Sequence, residues 1–322
     1  MMKASLGIDT SNYTTSTALL GEDGTIQQCK KQLQVASGDL GLRQNDAVFA
    51  HVKQLGGLLE NLFEGNEKLI CAVGCASYPR DSEDSYMPCF LSGKMVSQSV
   101  AAVLGVPLFE FSHQAGHIAA ALFETKQNEL FEREFLAFHV SGGTTQCLLV
   151  QPDETGKKPF KIAVIAESLD LYAGQLIDRT GAILGLSFPS GPALEELAKE
   201  SGKRFPVKIA FKGLDCCLSG VENQCRKLLS DGEESVDVAR FCIDSIERAV
   251  FGMTMRVIKK YPGRRIVYSG GVMGNSIIRD SIEKHFDAVF ASPGFSSDNA
   301  AGIAVLCEKS YQKSLGKGKN PI

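Results

Sequence analysis

No stretch of this 322-residue sequence approaches the roughly 20 consecutive apolar residues that cross a bilayer. The opening residues, Met1-Met-Lys-Ala-Ser, run straight into a strand-like segment with no charged and apolar leader of the secretory kind. A Cys-x-x-Cys knuckle is also missing. The ten cysteines offer only the adjacent pair Cys216-Cys217 and the wider Cys71-x-x-x-Cys75. That excludes a zinc ribbon and leads us to expect reduced, mostly buried thiols in a cytoplasmic protein rather than a disulfide framework. Neither sign of charge dominates: 34 Lys and Arg face 37 Asp and Glu, for a net charge of −3 and a pI near 6.0. No global basic field draws the chain to nucleic acid, although local basic patches stay open. What is present suits a soluble globular protein: 44% hydrophobic and 22% charged residues, at a length sufficient for two domains with real cores.

Histidine is scarce, five residues in all, and two of them fall in Phe111-Ser-His113-Gln-Ala-Gly-His117. On a helix running from Gln114 onward, a spacing of four puts both imidazoles on one face. Neutral imidazoles so placed can share a divalent metal; equally, they are polar residues at a helix start, one of them capping. Zinc-protease chemistry also needs a glutamate after the first histidine as general base, and that position is Gln114.

The patterning predicts strands at 4–9, 16–20 and 26–33 around a hydroxyl-rich turn, Thr10-Ser-Asn-Tyr-Thr-Thr15, and a hairpin turn at 21–24. After a loop at 38–47, a helix follows at 49–63, then a doubly buried strand at 69–76, a helix at 90–104 and a strand at 107–111. The opening pattern recurs about 130 residues on, as strands at 135–140, 146–151 and 160–167 around the turn Ser141-Gly-Gly-Thr-Thr145. Helices are expected at 170–184, 193–201, 237–260, 275–285 and 300–313, with strands at 265–269 and 288–291 and a frayed basic tail from Gly316.

Two glycine-rich turns directly follow strands: Ser141-Gly142-Gly143-Thr144 and Gly270-Gly271-Val272-Met273-Gly274-Asn275. Glycine there lets backbone N–H groups approach a phosphate, and the helix after the second turn favours negative charge. Either turn could instead need glycine only for its backbone conformation. Asp298 reads as a helix N-cap or as the carboxylate of a His, His, Asp metal set. Asp178 could hold ribose hydroxyls or face solvent; Asp9 could hold a metal or a water-bridged phosphate.

Taken together the chain resembles the catalytic subunit family of the tRNA threonylcarbamoyladenosine synthases, once labelled glycoproteases, within the superfamily of actin, sugar kinases and chaperone ATPases. Six motifs in the family's order carry the resemblance: His113-Gln-Ala-Gly-His117, Ser141-Gly-Gly-Thr-Thr-Gln146, Asp170-Leu-Tyr-Ala-Gly174 with Asp178, Gly191-Pro192-Ala-Leu-Glu195, Gly270-Gly-Val-Met-Gly-Asn275 and Ser297-Asp298-Asn299-Ala-Ala. The resemblance implies a duplicated actin-like (ribonuclease H-like) α/β fold of two lobes with a central cleft. It implies lobes at 1–112 and 113–298, and a C-terminal helix and tail, 299–322, packing back on the first lobe. His113, His117 and Asp298 would hold one divalent metal, with iron, zinc and manganese all suited to the set. Gly142 and Gly143 would take phosphate oxygens, while Asp178, Gly191 and Asn275 hold the ribose and adenine of an adenine nucleotide or carbamoyl-adenylate. Asp9 and Tyr13 would stand at the reacting group. The implied partners are tRNA, a paralogous actin-like subunit and a small ATPase subunit, with no membrane.

The chain also departs from the family. The opening Glu-Thr-Ser-Cys-Asp-Glu-Thr is Asp9-Thr-Ser-Asn12-Tyr13-Thr14-Thr15 here, and at neutral pH a phenol substitutes poorly for a carboxylate. Thr144 replaces a histidine, Ser77-Tyr-Pro-Arg80-Asp81 replaces a Gly-Pro-Gly loop, and Glu222 replaces a lysine. The pattern is that of a divergent paralogue. A metal-dependent threonylcarbamoyltransferase on tRNA adenosine is the leading expectation. A carbamoyltransferase with a small-molecule acceptor and an inactive nucleotide-binding paralogue acting through partners are the alternatives. A kinase or ATPase would leave the two histidines unexplained, and protease activity lacks a nucleophile or base.

Overall fold

In the computed structural model the described residues are 2–34, 42–65, 68–82, 85–156, 158–296 and 300–316. The chain begins β1 (Met2–Ser11), β2 (Thr14–Gly21), β3 (Ile26–Gln32), α1 (Gln44–Phe63), β4 (Lys68–Tyr78), α2 (Phe90–Leu104), β5 (Leu108–Ser112) and α3 (His113–Glu124). It continues through β6 (Phe135–Val140), β7 (Thr145–Pro152), β8 (Phe160–Glu167), α4 (Ala173–Ile183), α5 (Gly191–Glu200), β9 (Ala210–Lys212), β10 (Asp215–Cys217) and α6 (Ser219–Ser230). It closes with α7 (Ser235–Lys260), β11 (Ile266–Ser269), α8 (Ser276–His285), β12 (Ala288–Phe290), α9 (Pro293–Ser296) and α10 (Ala301–Ser314). None of the described helices is long and apolar enough to cross a membrane.

Two five-stranded sheets share one connectivity. The first is ordered β3-β2-β1-β4-β5 and the second β8-β7-β6-β11-β12. In each, a hairpin precedes parallel strands: β1 pairs antiparallel with β2 and parallel with β4, and β6 pairs antiparallel with β7 and parallel with β11. This is the duplicated actin-like α/β fold. Among the parallel strands β4 and β11 carry the clearest apolar runs, and Val73 to Ala76 and Ile266 to Ser269 are buried. The chain divides into two compact units, Met1–Arg133 with Gln151–Ile162 and Gly294–Ile322, and Glu134–Val150 with Ala163–Pro293. This division differs from the boundaries expected at 112/113 and 298/299. The helix after the histidines, α3, belongs to the first unit because it packs on α10.

In the first unit, Leu6, Ile8, Leu19, Leu55, Leu62 and Val73 form the core beneath α1 and α2. The other side of β1 and β4 is covered by α10, whose residues from Ala301 to Glu308 are all buried. That approach is unusually close. A Cβ on Gly302 would collide with the carbonyl oxygen of Gly116 and come within 2.8 Å of the Ala120 nitrogen, so α3 and α10 cross backbone to backbone. Gly116 lies between the two histidines of α3.

The second unit packs α4, α5, α6, α7 and α8 around Leu136, Phe138, Leu176, Leu194, Ile246 and Tyr268. Several features are additional to the expected elements: α6, the short ribbon of β9 and β10, and an earlier start of α1, at Gln44 instead of 49. The hydroxyl-rich turn is shorter than expected, since β1 and β2 pair as far as Ser11 and Thr14 and only Asn12 and Tyr13 turn. Residues 38–41, Ser297 to Asn299 and 317–322, to which a loop end, the third metal ligand and the basic tail were assigned, lie outside the described residues.

Candidate active site

In the first unit the site is built on the junction of β5 and α3. Ser112 ends the strand and caps the helix: its hydroxyl oxygen accepts the Ala115 N–H at 3.0 Å and its O–H donates to Asp81 Oδ2 at 2.6 Å. Lys158 in turn donates to Asp81 Oδ1 at 2.8 Å. His113 is therefore the first residue of a pinned helix, and His117 follows one turn later on the same face.

Asp9, at the end of β1 and 1% exposed, accepts a hydrogen bond from His113 Nδ1–H at 2.6 Å. This fixes the tautomer: with the proton on Nδ1, His113 presents a lone pair at Nε2. That atom faces His117 Nε2 at 2.9 Å, the rings meeting edge to face at 74°. A carboxylate–histidine pair of this type orients and strengthens a metal-binding imidazole. Asp9 Oδ1 is buried and has no hydrogen-bond partner among the described residues. Such an atom costs free energy unless something absent here meets it. The donor set fits a divalent metal: two convergent imidazole nitrogens, one backed by a buried carboxylate. Among the described residues no group of three or more His, Cys, Asp or Glu gathers as a metal site, and Asp298, the expected third ligand, lies outside them.

The turn beside Asp9 is held from α1. Gln44 Nε2 donates to Asn12 Oδ1 at 2.5 Å, and Tyr13 projects with 44% of its surface exposed. His51, fully buried, donates from Nε2 to the Ser11 carbonyl at 2.9 Å and accepts the Thr15 hydroxyl at Nδ1 at 2.8 Å. Desolvation lowers its pKa, opposed by the hydrogen bond to Ser11 and by Asp9. A histidine that is neutral in the fold and protonated more easily when unfolded contributes stability above its unfolded pKa of about 6.5, lost as the pH falls toward the lower folded value. The melting temperature should therefore drop between pH 7.5 and 5, and His51→Asn should flatten that part of the profile, as calorimetry at stepped pH would read.

In the second unit the expected nucleotide residues fall on the turn after β6, on α4, at the start of α5 and just before α8. The turn Ser141–Thr144 follows β6, and neither Gly142 nor Gly143 has an atom within 4 Å of a would-be Cβ. Gly174 donates its N–H to the Ser141 carbonyl at 3.1 Å, and Ala173 N–H donates to Thr145 Oγ1 at 2.8 Å. The start of α4 is so close that a Cβ on Gly174 would stand 2.5 Å from the Gly142 nitrogen. The Gly143 N–H donates to Ser141 Oγ at a long 3.4 Å, and a glycine turn beside a helix N-terminus favours an anion. One turn along α4, Asp178 Oδ1 accepts the Ser190 N–H at 2.9 Å, beside Gly191 at the start of α5. Burial raises the Asp178 pKa, opposed by that hydrogen bond. Glu195 of α5 accepts from Ser276 N–H at 3.0 Å and Ser276 O–H at 2.6 Å, tying α5 to the start of α8. Asn275 there is the N-cap, with Oδ1 accepting from Ile277 and Ile278 N–H at 3.1 and 3.2 Å. Only its amide N–H groups could be left for a ligand.

Comparison with known proteins decides the family. The family model described as tRNA N6-adenosine threonylcarbamoyltransferase matches residues 86–305. The chain belongs to this family. A tRNA N6-adenosine threonylcarbamoyltransferase of Wolbachia pipientis subsp. Culex pipiens (strain wPip) is 29% identical, over 99% of this chain and 98% of its own. Among solved structures, full-length HypF in its phosphate- and nucleotide-bound form is similar to 98% of this chain over 47% of its own, with a TM-score of 0.58 and 14% identity. A ROK family glucokinase from Streptomyces griseus in complex with glucose and AMPPNP matches 96% of this chain and 99% of its own, with a TM-score of 0.52 and 13% identity. At such identities the structures bear on the fold alone. Glu222, which the resemblance aligned with a lysine, accepts from Arg226 at 2.8 Å and Arg179 at 2.9 Å, and these bonds lower its pKa.

Asp81, His51 and Gln44 were not anticipated as supports. His51 offered one faint signal, a polar residue in the apolar stripe of α1 between Ala47 and Leu55.

Proposed function

We propose that the protein transfers the threonylcarbamoyl group of threonylcarbamoyl-adenylate to an adenosine of tRNA. The observation that carries this reading is the Asp9–His113–His117 chain, retained in a member of the threonylcarbamoyltransferase family. In this reading the amides of Gly142 and Gly143 take the phosphate, and the positive end of α4 supports them. Asp178, ionised above its raised pKa, accepts from the ribose hydroxyls, Gly191 leaves room for the base, and Asn275 donates its amide N–H. His113, His117 and Asp298 hold a divalent metal, which when bound supplies Lewis-acid polarisation and charge compensation. Asp9 keeps the Nδ1 proton of His113, so that Nε2 is the nitrogen that would face the metal. The adenosine amine attacks the carbamoyl carbon, the bond from that carbon to the phosphate oxygen breaks, AMP leaves, and the amine loses a proton to solvent. In this reading Tyr13, exposed on the turn beside Asp9, borders the incoming nucleoside.

Partner subunits fit the surface of the first unit. Phe49 and Val52 of α1 and Leu91, Met95 and Val103 of α2 are exposed, an apolar face suited to a paralogous actin-like subunit, with a small ATPase subunit joining the assembly.

The test is AMP release from threonylcarbamoyl-adenylate, with the family's partner subunits, in the presence of unmodified tRNA, of small amine acceptors, or of neither. Stimulation by tRNA supports the reading. Equal release with small amines assigns a small-molecule acceptor, and binding without release assigns a non-enzymatic role, which the exposed Tyr13 and buried Thr14 at the family's acidic positions favour. Because Asp178 must be ionised to accept from ribose, AMP affinity should fall as the pH drops through its raised pKa, and Asp178→Asn should remove that dependence; titration calorimetry from pH 7.5 to 4.5 reads both.

A further inference from the structure

The second unit carries an open groove of about 630 Å³ on the C-terminal half of α7, lined also by β9 and the segment before it. Its floor is apolar, with Phe251 and Met255 of α7 and Phe211 of β9, and Met255 keeps 48% of its surface exposed. Its charge has one sign. Lys208, Arg248 and Arg256 line it and no carboxylate does, in a chain whose net charge is −3.

The groove is also built. A Cβ on Gly252 would clash with the Phe211 ring, so the missing side chain is what lets that ring lie against the helix. The Arg256 guanidinium carbon sits 3.7 Å from the Phe211 centroid, and Arg256 Nη1 donates to the Gly252 carbonyl at 2.9 Å. Stacked on one face and tethered at one nitrogen, the cation is held in place. Phe251 is braced edge-on by His285, with centroids 5.1 Å apart, and by Phe286 at 5.0 Å. The α7 residues of the groove, Arg248 to Arg256, lie in the C-terminal half of that helix, which leads into the start of β11, whereas the glycine turn at Gly270 follows its end. The groove is therefore separate from the turns assigned to the adenylate.

We infer that this groove binds a single-stranded segment of RNA, with bases against Phe251 and the Arg256 guanidinium and phosphates at Lys208 and Arg248. An acidic peptide would answer the cations, but it brings no flat π-faces for a braced phenyl ring and an immobilised guanidinium; a single strand brings both. The choice of RNA rests on the tRNA-directed reading above.

The test measures binding of a fluorescein-labelled single-stranded oligoribonucleotide, and of unmodified tRNA, to the full chain by anisotropy across salt concentrations. Met255→Glu and Arg248→Gln change exposed side chains and should melt as the wild type does. Met255→Glu should weaken oligonucleotide binding at least about tenfold, by removing a floor contact and repelling phosphate. Arg248→Gln should flatten the slope of log K against log salt by about 0.7, the share of one single-strand phosphate contact. Wild-type binding that neither variant changes overturns the inference, as does a wild type that binds poly-glutamate but no RNA. If tRNA still stimulates AMP release while both variants bind normally, the groove fails and the transferase stands. If the variants lose binding while tRNA stimulates nothing, the groove stands and the transferase fails.

Discussion

His113→Ala is expected to abolish metal uptake and to lower transfer to tRNA by about a thousandfold or more, the scale of several kcal/mol of lost charge stabilisation. Two features make this position more sensitive than its neighbours. Its Nε2 and that of His117 converge on one face of α3, and its Nδ1–H bonds the Asp9 carboxylate, whose other oxygen has no hydrogen-bond partner among the described residues. Alanine would thus delete a proposed ligand and leave a carboxylate buried without its proton donor, a state that costs several kcal/mol. Asp9→Asn should be milder, since a backing group rather than a ligand is altered, at about 10- to 100-fold in metal affinity or rate. Metal content by elemental analysis alongside initial rates reads both. A His113→Ala protein that retains metal and rate would remove these histidines from the site.

Gly302→Ala should be the most damaging substitution of a single methyl group in the first unit. The added Cβ meets the Gly116 carbonyl oxygen, and backbone cannot swing aside as a side-chain tip can. Overpacking of this kind typically costs about 1–3 kcal/mol and occasionally more; we expect the upper end, a melting temperature lower by about 10 °C. The effect on the site should exceed the effect on stability, because the backbone pushed aside is the turn of α3 that spaces His113 from His117. Metal affinity should fall in a protein that remains folded at room temperature. Gly56→Ala is the control: Gly56 lies in α1 with nothing within 4 Å of a Cβ, and alanine there should stabilise by up to about 1 kcal/mol. Equal melting of the two variants would show that α3 and α10 are not wedged as described.

Much of the fold was legible because its elements speak in period and punctuation. The run from Leu69 to Ala76 reads as a doubly buried strand and lies inside β4, and the helix expected at 90–104 is α2 at those bounds. The recurrence of strand, turn and strand after about 130 residues is the shared order of the two sheets. What escaped has local causes. The strands β9 and β10 are three residues each, too short for alternation to register. The pairing of Ser11 with Thr14 hid inside a hydroxyl-rich run that looks like a six-residue turn. The start of α1 preceded its apolar stripe, since Gln44 serves Asn12 and Cys89 rather than the core.

The site was legible in residue types and less so in duties. His113 and His117 announced themselves by spacing. Asp9 could be read only as an acid at a strand end; its bond to His113 spans 104 positions and no local pattern encodes it. Asn275, expected to face a nucleotide, caps α8 with its oxygen, which follows from its place just before a helix. Gly174 was visible in a motif, yet its reason, the closeness of Gly142, is tertiary. The family's departures at Tyr13 and Thr14 fall on the turn beside Asp9, whereas the histidine pair and the glycine turns remain.

The most direct measurement is mass spectrometry of nucleosides from unmodified tRNA after incubation with the protein, its partner subunits, a divalent metal and threonylcarbamoyl-adenylate. The account predicts threonylcarbamoyladenosine with wild-type protein and none with His113→Ala. Unmodified adenosine throughout, with the adenylate bound and intact, would contradict it.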